Sequence, residues 1–521
     1  MKKFICYLFI VGMFISCSED VLDPFLPGVA FDEQATRTAG DLNRILNSAQ
    51  NIMTNRTEYT FTSIFTDEAA PGSNNGGQGI SGTDAYYLYF LVPTSAAPDA
   101  IWQSNYNAMA RVNLVLENVD KVATNFPTLA NVNLVKRITA EAKILRALAH
   151  LKILAYYAPD LTNDASLAGI LANRTFLYTE TPPRATVGEF YKFIHQDLDD
   201  AIALYTNNTL PAVSNNTLFA TRNLARALKA RAYAYKKDYV KAEFWADQVI
   251  TSSGITLATA AQLPAVFHTH TSTPTQEVIY KFARTVQQNN QGTNLHNGWV
   301  SVSNARNGSP FYEVSRSLYN VLRNAPGVDA RRDLIVRPEG PTTGSLVDPA
   351  YATSVNVRAT DILVPFKHGG ANAVTAANGF NPAFIQVRLS EMVFIKAECR
   401  AAASDFSGVA LALKSITDRR FATPPALLIL TSPQQAWKAI LDERRKELAF
   451  EGHRFIDVKR LYAVAGVNNF DRDPADYAVT GLNFPGANPA NFNFTGNFKF
   501  ALPIPQSEMN ANASFGQNVG Y

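Results

Sequence analysis

Apolar residues recur every three to four positions along several stretches of the chain, and this spacing predicts amphipathic helices. The same stretches are rich in alanine and leucine, which favour helix. Residues 253–384 and 463–521 differ, being rich in Asn, Gly, Pro, Thr and Phe with short strand-like runs such as Glu277 to Phe282. The pattern predicts a mostly α-helical protein with a loop-rich, minor-β part inserted. The helical stretches are 37–54, 98–121, 131–157, 186–206, 217–252, 385–418 and 432–462.

Two of these stretches have the composition of paired antiparallel helices. From Asn223 to Ile250, two alanine-containing helices flank the turn Lys237-Asp238-Tyr239. Residues 388–418 repeat this arrangement around Ser404-Asp405-Phe406. Small side chains let facing helices approach closely, as in tetratricopeptide repeats, although the strict period of that repeat is absent. The pattern predicts degenerate, tetratricopeptide-like helix pairs.

Residues 443–460 are dense in charge, yet they do not form a separate polar face. One helical stripe runs from Trp437 to Glu451, so charged side chains continue the line of an apolar face. A charge drawn into a core needs a partner, because a stranded one costs several kcal/mol. We therefore expect two helices that break at Gly452 and carry a buried cluster whose charges satisfy one another. Its members are Arg444, Glu447, Glu451, Arg454 and Asp457.

The same segment resembles the signature of the SusD/RagB family of outer-membrane nutrient-binding lipoproteins. That signature runs R-R-x-E-L-x-x-E-G-x-R-x-x-D-x-x-R, and every fixed position is met from Arg444 to Arg460. Blocks that resemble the family occur along the whole mature chain, in the same order as in the family. This resemblance implies a SusD-like fold. Further blocks similar to the family lie at Ile101 to Asn113, Ala140 to Ala147, Pro183 to Leu198, Asp329 to Arg332, Arg388 to Glu398, Leu502 to Pro505 and Gln517 to Tyr521.

The first residues have the composition of an export signal. Lys2 and Lys3 precede an apolar run from Phe4 to Ile15, which is too short to span a bilayer as a helix. Cys17 stands where a lipoprotein signal peptidase would leave a lipidated cysteine, and a diacyl group there would attach the chain to a membrane. The alternative is an ordinary cleaved signal followed by an incidental cysteine. The acidic pair after Ser18 resembles the signal that sends such lipoproteins to the cell surface.

The domain organisation follows from these features. Residues 1–16 are expected to be a lipoprotein signal peptide and residues 17–36 a lipidated tether. Residues 37–521 are expected to form a single SusD-like domain, since their length suits one large or two-lobed unit. Its helical lobe would comprise about 37–252 and 385–462, and its loop-rich lobe about 253–384 and 463–521.

Composition narrows the possible partners. Charged residues make up 17% of the chain and the formal net charge is +3, with no run rich in Lys and Arg. This near-neutral balance argues against a nucleic-acid partner. The chain has three cysteines. With Cys6 in the predicted signal and Cys17 acylated, Cys399 has no partner, so packing must hold the fold without disulfides.

The sequence contains no motif that indicates catalysis, a cofactor or a metal. A nucleophile elbow, a P-loop and a His-Glu-x-x-His helix are all absent, and the glycines at 77, 79 and 82 do not follow a strand. His268 and His270 lack an acidic or cysteine neighbour. Asp67-Glu68 resembles a family landmark, although sequence alone cannot place a glycosidase pair. We therefore expect a protein that is not an enzyme.

Two loops have the composition of a sugar-binding surface, in which aromatic rings stack on sugars and planar polar groups bind hydroxyls. They are Asn74 to Phe90 and Gln288 to Tyr312, regions where many family members gather ligand contacts. Alternatively, Tyr87 and Tyr89 point inward from a strand. The candidate ligand residues are Asp84, Tyr86, Tyr87, Tyr89, Trp299, Arg306, Asn307, Phe311 and Tyr312.

The resemblance implies a lipoprotein on the cell exterior, held in the outer membrane by its lipid. Such a protein binds a nutrient, with an oligo- or polysaccharide favoured, and delivers it to a SusC-like TonB-dependent transporter that it covers as a lid. A peptide binder of the RagB type and a mainly structural lid remain alternatives. An exposed coplanar platform of Tyr86, Trp299 and Tyr312 would favour glycan. A cleft lined by loop backbone would favour peptide, and buried aromatic residues would favour the structural lid.

Overall fold

The structure is a computed structural model in which helices dominate, as the apolar periodicity predicts. It confirms the mostly α-helical fold class, with short strands as the minor component. The residues that it describes are 35–72, 84–177, 179–207, 210, 217–268, 276–283, 311–340, 344–353, 360–368, 383–477 and 492–521.

The helices follow the predicted stretches closely except at 385–388, which form part of a strand, and the predicted breaks inside 217–252, 385–418 and 432–462 are present. Shorter helices outside those stretches, such as the one at Arg316–Arg323, span too few turns to show a period in the sequence. In chain order the helices are α1 (Ala39–Ile52), α2 (Thr57–Phe65), α3 (Asp84–Tyr87), α4 (Ala96–Asn125), α5 (Leu129–Tyr157), α6 (Val187–Asn207), α7 (Arg222–Lys236), α8 (Tyr239–Ser252), α9 (Leu263–His268), α10 (Arg316–Arg323), α11 (Ala330–Ile335), α12 (Leu389–Ala402), α13 (Phe406–Arg420), α14 (Pro433–Glu447), α15 (Arg454–Ala465) and α16 (Gln506–Ala511).

Among the described residues, the strands form two small antiparallel sheets of two strands each. They are β1 (Ala69–Pro71), β2 (Val278–Phe282), β3 (Tyr312–Val314) and β4 (Phe384–Arg388). In one sheet, Ala69 of β1 lies opposite Val314 of β3. In the other, Phe282 of β2 lies opposite Phe384 of β4, which confirms the strand-like run from Glu277. Every residue of these strands is buried, so both sheets lie inside the fold.

The two predicted helix pairs, α7 with α8 and α12 with α13, share one turn geometry. Lys237 and Ser404 adopt left-handed backbone angles, with φ of 63° and 57°. The next residue in each turn, Asp238 or Asp405, caps the second helix by accepting a hydrogen bond from the backbone N–H three residues later. The pairs pack side by side through α8 and α12. This geometry confirms the tetratricopeptide-like pairing.

A buried polar contact joins the three long helices α4, α5 and α6. Arg146 on α5 makes two hydrogen bonds to Asp197 on α6, at 2.7 and 2.8 Å. A third bond joins Arg146 to the side-chain oxygen of Asn113 on α4, at 2.8 Å. The Asn113 amide nitrogen donates to the carbonyls of Ala172 and Arg174. These contacts give Arg146 and Asn113 structural roles.

The C-terminal tail is held against the long helices. The Leu502 N–H donates to the Tyr156 carbonyl in the last turn of α5 at 2.8 Å. The Asn518 side chain donates to the Tyr157 carbonyl at 2.9 Å. The indole of Trp102 on α4 donates to Glu508 of α16 at 3.2 Å. These hydrogen bonds fix the C-terminal tail to α4 and α5.

The predicted signal segment and Cys17 lie outside the described residues, so lipid attachment stays a prediction. The division into two lobes likewise stays a prediction. Within the described ranges, no helix combines the length and apolar character needed to cross a membrane. Cys399 on α12 is buried as a free thiol.

Candidate functional site

Glu447 lies at the centre of a buried charged cluster at the C-terminal end of α14. Arg331, Arg388 and Arg420 donate to its carboxylate at N–O distances of 2.8 to 3.2 Å. Arg388 and Arg420 also bind a second buried carboxylate, that of Glu277. Burial alone would raise the pKa of Glu447, but the surrounding arginines outweigh it and hold that pKa well below its usual range. The Glu447 carboxylate therefore stays ionised, and its oxygens are already engaged in hydrogen bonds with arginines. This suits a structural role and not proton transfer.

Glu451 extends this cluster beyond the end of α14. Its oxygens accept hydrogen bonds from Arg388 at 2.8 Å and from the Lys367 ammonium at 2.7 Å. Burial opposes ionisation, but Arg388 and Lys367 outweigh it and lower the pKa of Glu451 to about 2. Lys367 also donates to the carbonyls of Glu447 and Ala449, which satisfies groups that the helix end leaves unpaired.

The other signature residues form separate ion pairs beside this cluster. Arg444 binds Asp457 across the two helices at 2.7 Å. Arg454 makes two hydrogen bonds to Asp67, at 2.8 and 2.7 Å. The expectation that the five signature residues satisfy one another is correct for Arg444 and Asp457 and wrong for the others. Their partners come from distant parts of the chain because the inner faces of α14 and α15 pack against other elements.

The break between α14 and α15 occurs at the predicted glycine. Gly452 has a φ of +80°, which L side chains rarely adopt. A Cβ there would also lie 2.9 Å from a ring carbon of Tyr59, closer than packing allows. Both the backbone angle and the space therefore require glycine, and this corner directs α15 back along α14.

The two segments predicted to bind ligand are joined where they meet the described fold. Pro71 of β1 lies opposite Tyr312 of β3. The Gly72 N–H donates to the Phe311 carbonyl at 2.8 Å, and the Tyr312 hydroxyl donates to Asp84. We call β1, β3 and Asp84 the loop base. It brings together regions that are far apart in the chain, since the Tyr312–Asp84 pair alone spans 228 residues.

The tyrosines beside the loop base point inward. Less than a tenth of each of Tyr86, Tyr87 and Tyr89 is exposed. The Tyr86 hydroxyl accepts a hydrogen bond from the Ala97 N–H, and the Arg472 guanidinium lies 3.9 and 4.2 Å from the ring centres of Tyr87 and Tyr89. The alternative that Tyr87 and Tyr89 point inward is therefore correct as regards their burial. It is wrong as regards the strand, because Tyr87 is the last residue of the short helix α3. Rings in this position cannot stack on a sugar, so predicted ligand contacts by these tyrosines have no structural support.

The remaining predicted ligand residues divide into two groups. Asp84 and Tyr312 are completely buried in the loop base, which makes them structural in this arrangement. Phe311 is half-buried, with its ring 5.3 Å from that of Tyr312. Three candidates lie outside the described residues, and their ligand contacts stay predictions: Trp299, Arg306 and Asn307.

Asp67 and Glu68 connect the loop base to α15, through the ion pair of Asp67 with Arg454. They directly precede β1, and Ser315 beside β3 donates to the carbonyl oxygens of both. Both carboxylates are completely buried. Neither can reach a glycosidic bond, so this pair does not have the placement of a glycosidase dyad.

The two neighbouring carboxylates titrate in opposite directions. For Asp67, burial opposes ionisation, but Arg445 and Arg454 outweigh it and hold the pKa well below its usual range. Burial raises the pKa of Glu68 to about 7, against partial opposition from a hydrogen bond donated by Ser63. Glu68 is thus the carboxylate at this junction whose charge changes near neutral pH.

The described residues contain no group of three or more His, Cys, Asp and Glu side chains that could hold a metal ion. A ring nitrogen of His268 lies 3.2 Å from the Phe366 carbonyl, which gives this histidine a structural contact. His270 lies outside the described residues. The expected lack of a metal or cofactor therefore stays a prediction for the chain as a whole.

Comparison with known proteins assigns the chain to a family. Residues 340–521 match the SusD family, and residues 29–235 match a family described as starch-binding and associating with the outer membrane. The chain belongs to the SusD/RagB family. The resemblance carried by the signature and the other blocks is thereby confirmed. No curated protein matches the chain.

Solved structures show the SusD-like fold over nearly the whole chain. A SusD superfamily protein from Bacteroides thetaiotaomicron is 21% identical, with 92% of this chain and 99% of that one covered and a TM-score of 0.72. A SusD superfamily protein from Bacteroides fragilis is 19% identical, with 92% and 100% covered and a TM-score of 0.68. A SusD-like carbohydrate binding protein from Bacteroides vulgatus is 17% identical, with 92% and 97% covered and a TM-score of 0.68. At these identities the likeness establishes the fold.

Sequence reasoning missed the partners of the SusD/RagB signature. Arg331 and Arg388 stand in two of the other family-like blocks, so the joint presence of those blocks was a usable signal that they contact the signature. Arg420, Lys367 and Glu277 lie in no such block. Glu277 and Lys367 adjoin short apolar runs, which was a remaining clue, whereas Arg420 directly follows Asp418 and Arg419 and carries no such signal.

Glu451→Ala and Arg444→Ala are expected to destabilise the protein without acting on a ligand site. Each removes one side of a buried ion pair and leaves the opposite charge uncompensated, at a cost of about 3–5 kcal/mol. Chemical denaturation measures this loss. The control is Asp442→Ala, which removes an exposed ion pair on α14 with Lys438 and should cost less than about 1 kcal/mol. A normal unfolding midpoint with lost ligand binding would make the signature a functional site.

Glu68→Gln is expected to stabilise the protein increasingly as the pH rises. The folded-state pKa of about 7 exceeds the ordinary value of 4.5. Glu68 therefore makes its full contribution to the free energy of unfolding below about pH 4.5. This contribution is lost as the pH rises through about 7. The variant should gain about 3 kcal/mol over the wild type at about pH 8 and little at about pH 4.5.

Urea unfolding of both proteins across this pH range checks the expectation. Asp67→Asn is the matched comparison, because it leaves Arg454 without its buried partner and should destabilise at neutral pH. A difference between Glu68→Gln and wild type that does not change with pH would show that Glu68 does not titrate there.

Proposed function

We propose that this SusD/RagB protein is a cell-surface lipoprotein of the outer membrane that binds an oligo- or polysaccharide. It delivers this nutrient to a SusC-like TonB-dependent transporter, which it covers as a lid. The observation that carries the proposal is the loop base, where the ends of both sugar-binding-type segments are joined. A rigid scaffold that presents two loops side by side is the usual design of a binding site.

The loop base would support ligand binding by fixing the ends of the two segments. Its buried hydrogen bonds, such as Tyr312 to Asp84, hold the described ends of both segments in place. Polar side chains and an aromatic ring of these segments would then supply hydroxyl contacts and sugar stacking. We assign these contacts to Trp299, Arg306 and Asn307, with Phe311 at the edge of the base.

The family relationship supports a glycan as the ligand. The family matched by residues 29–235 is described as starch-binding, and one solved relative is a SusD-like carbohydrate binding protein. The description of the former as associating with the outer membrane supports the proposed location. The SusC-like transporter enters as the partner that the family resemblance implies.

One observation favours a second candidate, a mainly structural lid. Tyr86 and Tyr312, two of the three residues of the predicted sugar platform, are buried. A lid would have little affinity of its own, with ligand specificity residing in the transporter. Titration calorimetry of the isolated protein against a panel of polysaccharides and peptides separates the two. Measurable glycan binding supports the first candidate, and no binding to any panel member supports the lid.

Trp299→Ala is expected to weaken glycan binding about thirtyfold. A fully used aromatic contact is worth about 2 kcal/mol, which corresponds to this factor. Calorimetry measures the loss, and thermal melts should show nearly unchanged stability. Phe244→Ala is the control, since Phe244 is an exposed aromatic residue on α8 and its loss should leave affinity unchanged. Tight binding that survives Trp299→Ala would remove this residue from the proposed site.

Cys17→Ala is expected to leave a folded protein that no longer fractionates with the outer membrane. The reason is that acylation of Cys17 is the proposed means of membrane attachment. Fractionation of cells that lack the transporter measures this, because the transporter could otherwise retain the variant. Membrane attachment of the variant in such cells would contradict the lipoprotein proposal.

A further inference from the structure

A small polar chamber lies between α2, α5, α7, β4 and the corner at Gly452. Its polar wall is formed mainly by Glu58, Lys152, Arg231, Tyr235, Gln386 and His453. Its volume is about 40 Å³, which is room for about three water-sized groups. Of the five signature residues, only Glu451 lines it, and the loop base lies elsewhere.

Three buried side chains in this wall carry polar groups without a hydrogen-bond partner. Tyr235 is 9% exposed, and no other described residue forms a hydrogen bond with its hydroxyl. Arg231 is 7% exposed, and its Nε and Nη2 atoms are bonded, but nothing in the described structure accepts from its Nη1. The amide nitrogen of Gln386 is buried without a hydrogen bond, and rotation of this amide can turn either of its ends toward the chamber. Buried polar groups are seldom left unsatisfied, so the chamber is built to hold an occupant.

The first turn of α15 adds further hydrogen-bond donors to the same wall. This helix is 12 residues long, and its N-cap residue, His453, gives it no side-chain cap. For residues 452–456, no hydrogen bond within the described ranges satisfies the N–H groups. Gly452, His453 and Ile456 line the chamber. A helix N-terminus carries a partial positive charge and binds anions through such N–H groups.

The carboxylates in the wall already have cationic partners. Glu58 accepts hydrogen bonds from the Lys152 ammonium at 2.6 Å and from the Tyr156 hydroxyl at 3.2 Å. Glu451 is held by Arg388 and Lys367. The groups that remain unsatisfied are therefore mostly donors, and the balance of charge is set by the positive end of α15.

This set of groups selects a small anion over other occupants. Water carries as many hydrogen-bond donors as acceptors, so its own hydrogens would find few acceptors here. A cation would face a guanidinium and the positive end of a helix. An anion only accepts hydrogen bonds, and bonds from such donors to a charged acceptor are the stronger kind. The volume excludes anything larger than a few atoms.

We propose that the chamber binds a small monovalent anion of the size of a halide. The Tyr235 hydroxyl, Nη1 of Arg231 and the N–H groups at the start of α15 donate to it. Glu58 and Lys152 keep 15% and 10% of their side chains exposed, which gives the ion a route from solvent. The site is separate from the proposed glycan site and does not depend on the proposed function.

Crystals of the wild-type protein soaked in sodium bromide test the proposal directly. Bromide scatters anomalously and water does not, so the two occupants are distinguished by an anomalous difference map. We expect an anomalous peak inside the chamber, within hydrogen-bond distance of the Tyr235 hydroxyl. A chamber that contains only water would overturn the proposal.

Thermal unfolding measures the same binding in solution. Bromide is exchanged for gluconate at constant ionic strength, because gluconate is too large for the chamber. The unfolding midpoint of the wild type should rise with bromide, since an ion that binds only the folded protein stabilises it. Tyr235→Phe keeps the ring and removes the hydroxyl, and it should need at least about tenfold more bromide for the same rise.

Tyr280→Phe is the matched control. Tyr280 also has a buried hydroxyl without a partner among the described residues, but it does not line the chamber. Its response to bromide should equal that of the wild type. An equal response in Tyr235→Phe, or no rise in the wild type up to about 100 mM bromide, would overturn the proposal. The soaked wild-type crystals decide the matter alone if Tyr235→Phe does not fold.

Discussion

The buried pairing of Glu447 and Glu451 with arginine and lysine is the interaction on which the rest of the fold depends. The cations come from α11, α13, β4 and the segment that contains Lys367. Each carboxylate therefore holds several elements at once. Ion pairs of this kind often contribute little net stability compared with an apolar core, but they are costly to break, and the charges accept few alternative arrangements. Their contribution here is to fix which elements meet at the end of α14.

The sequence carried enough information for the helices but not for the partners of the charges. The long helices and the break at Gly452 follow from local spacing and from backbone angles that need only neighbouring residues. Arg388 and Arg420 were not identified as partners of Glu447, because such contacts depend on how distant elements pack.

The candidate ligand site was likewise predictable from the sequence only in part. Composition singled out two loop segments, and the loop base joins their described ends. Composition could not separate the aromatic residues that support the loops from those that would contact a ligand, since tyrosine suits both roles. Tyr87 packs against Arg472 inside the fold, although its polar and aromatic sequence neighbours are typical of an exposed sugar-binding loop.

The bidentate contact between Asp67 and Arg454 has a consequence for how the chain folds. The two residues are 387 positions apart, and the Tyr59 hydroxyl bonds a carbonyl 326 positions later. Contacts of such long sequence separation form slowly, because a large loop must close before they contribute. Until α15 has packed in place, Asp67 lacks the guanidinium of Arg454. The N-terminal helices can form early from local contacts, but the segment after α2 must wait for α15, so this part of the fold is expected to be completed late.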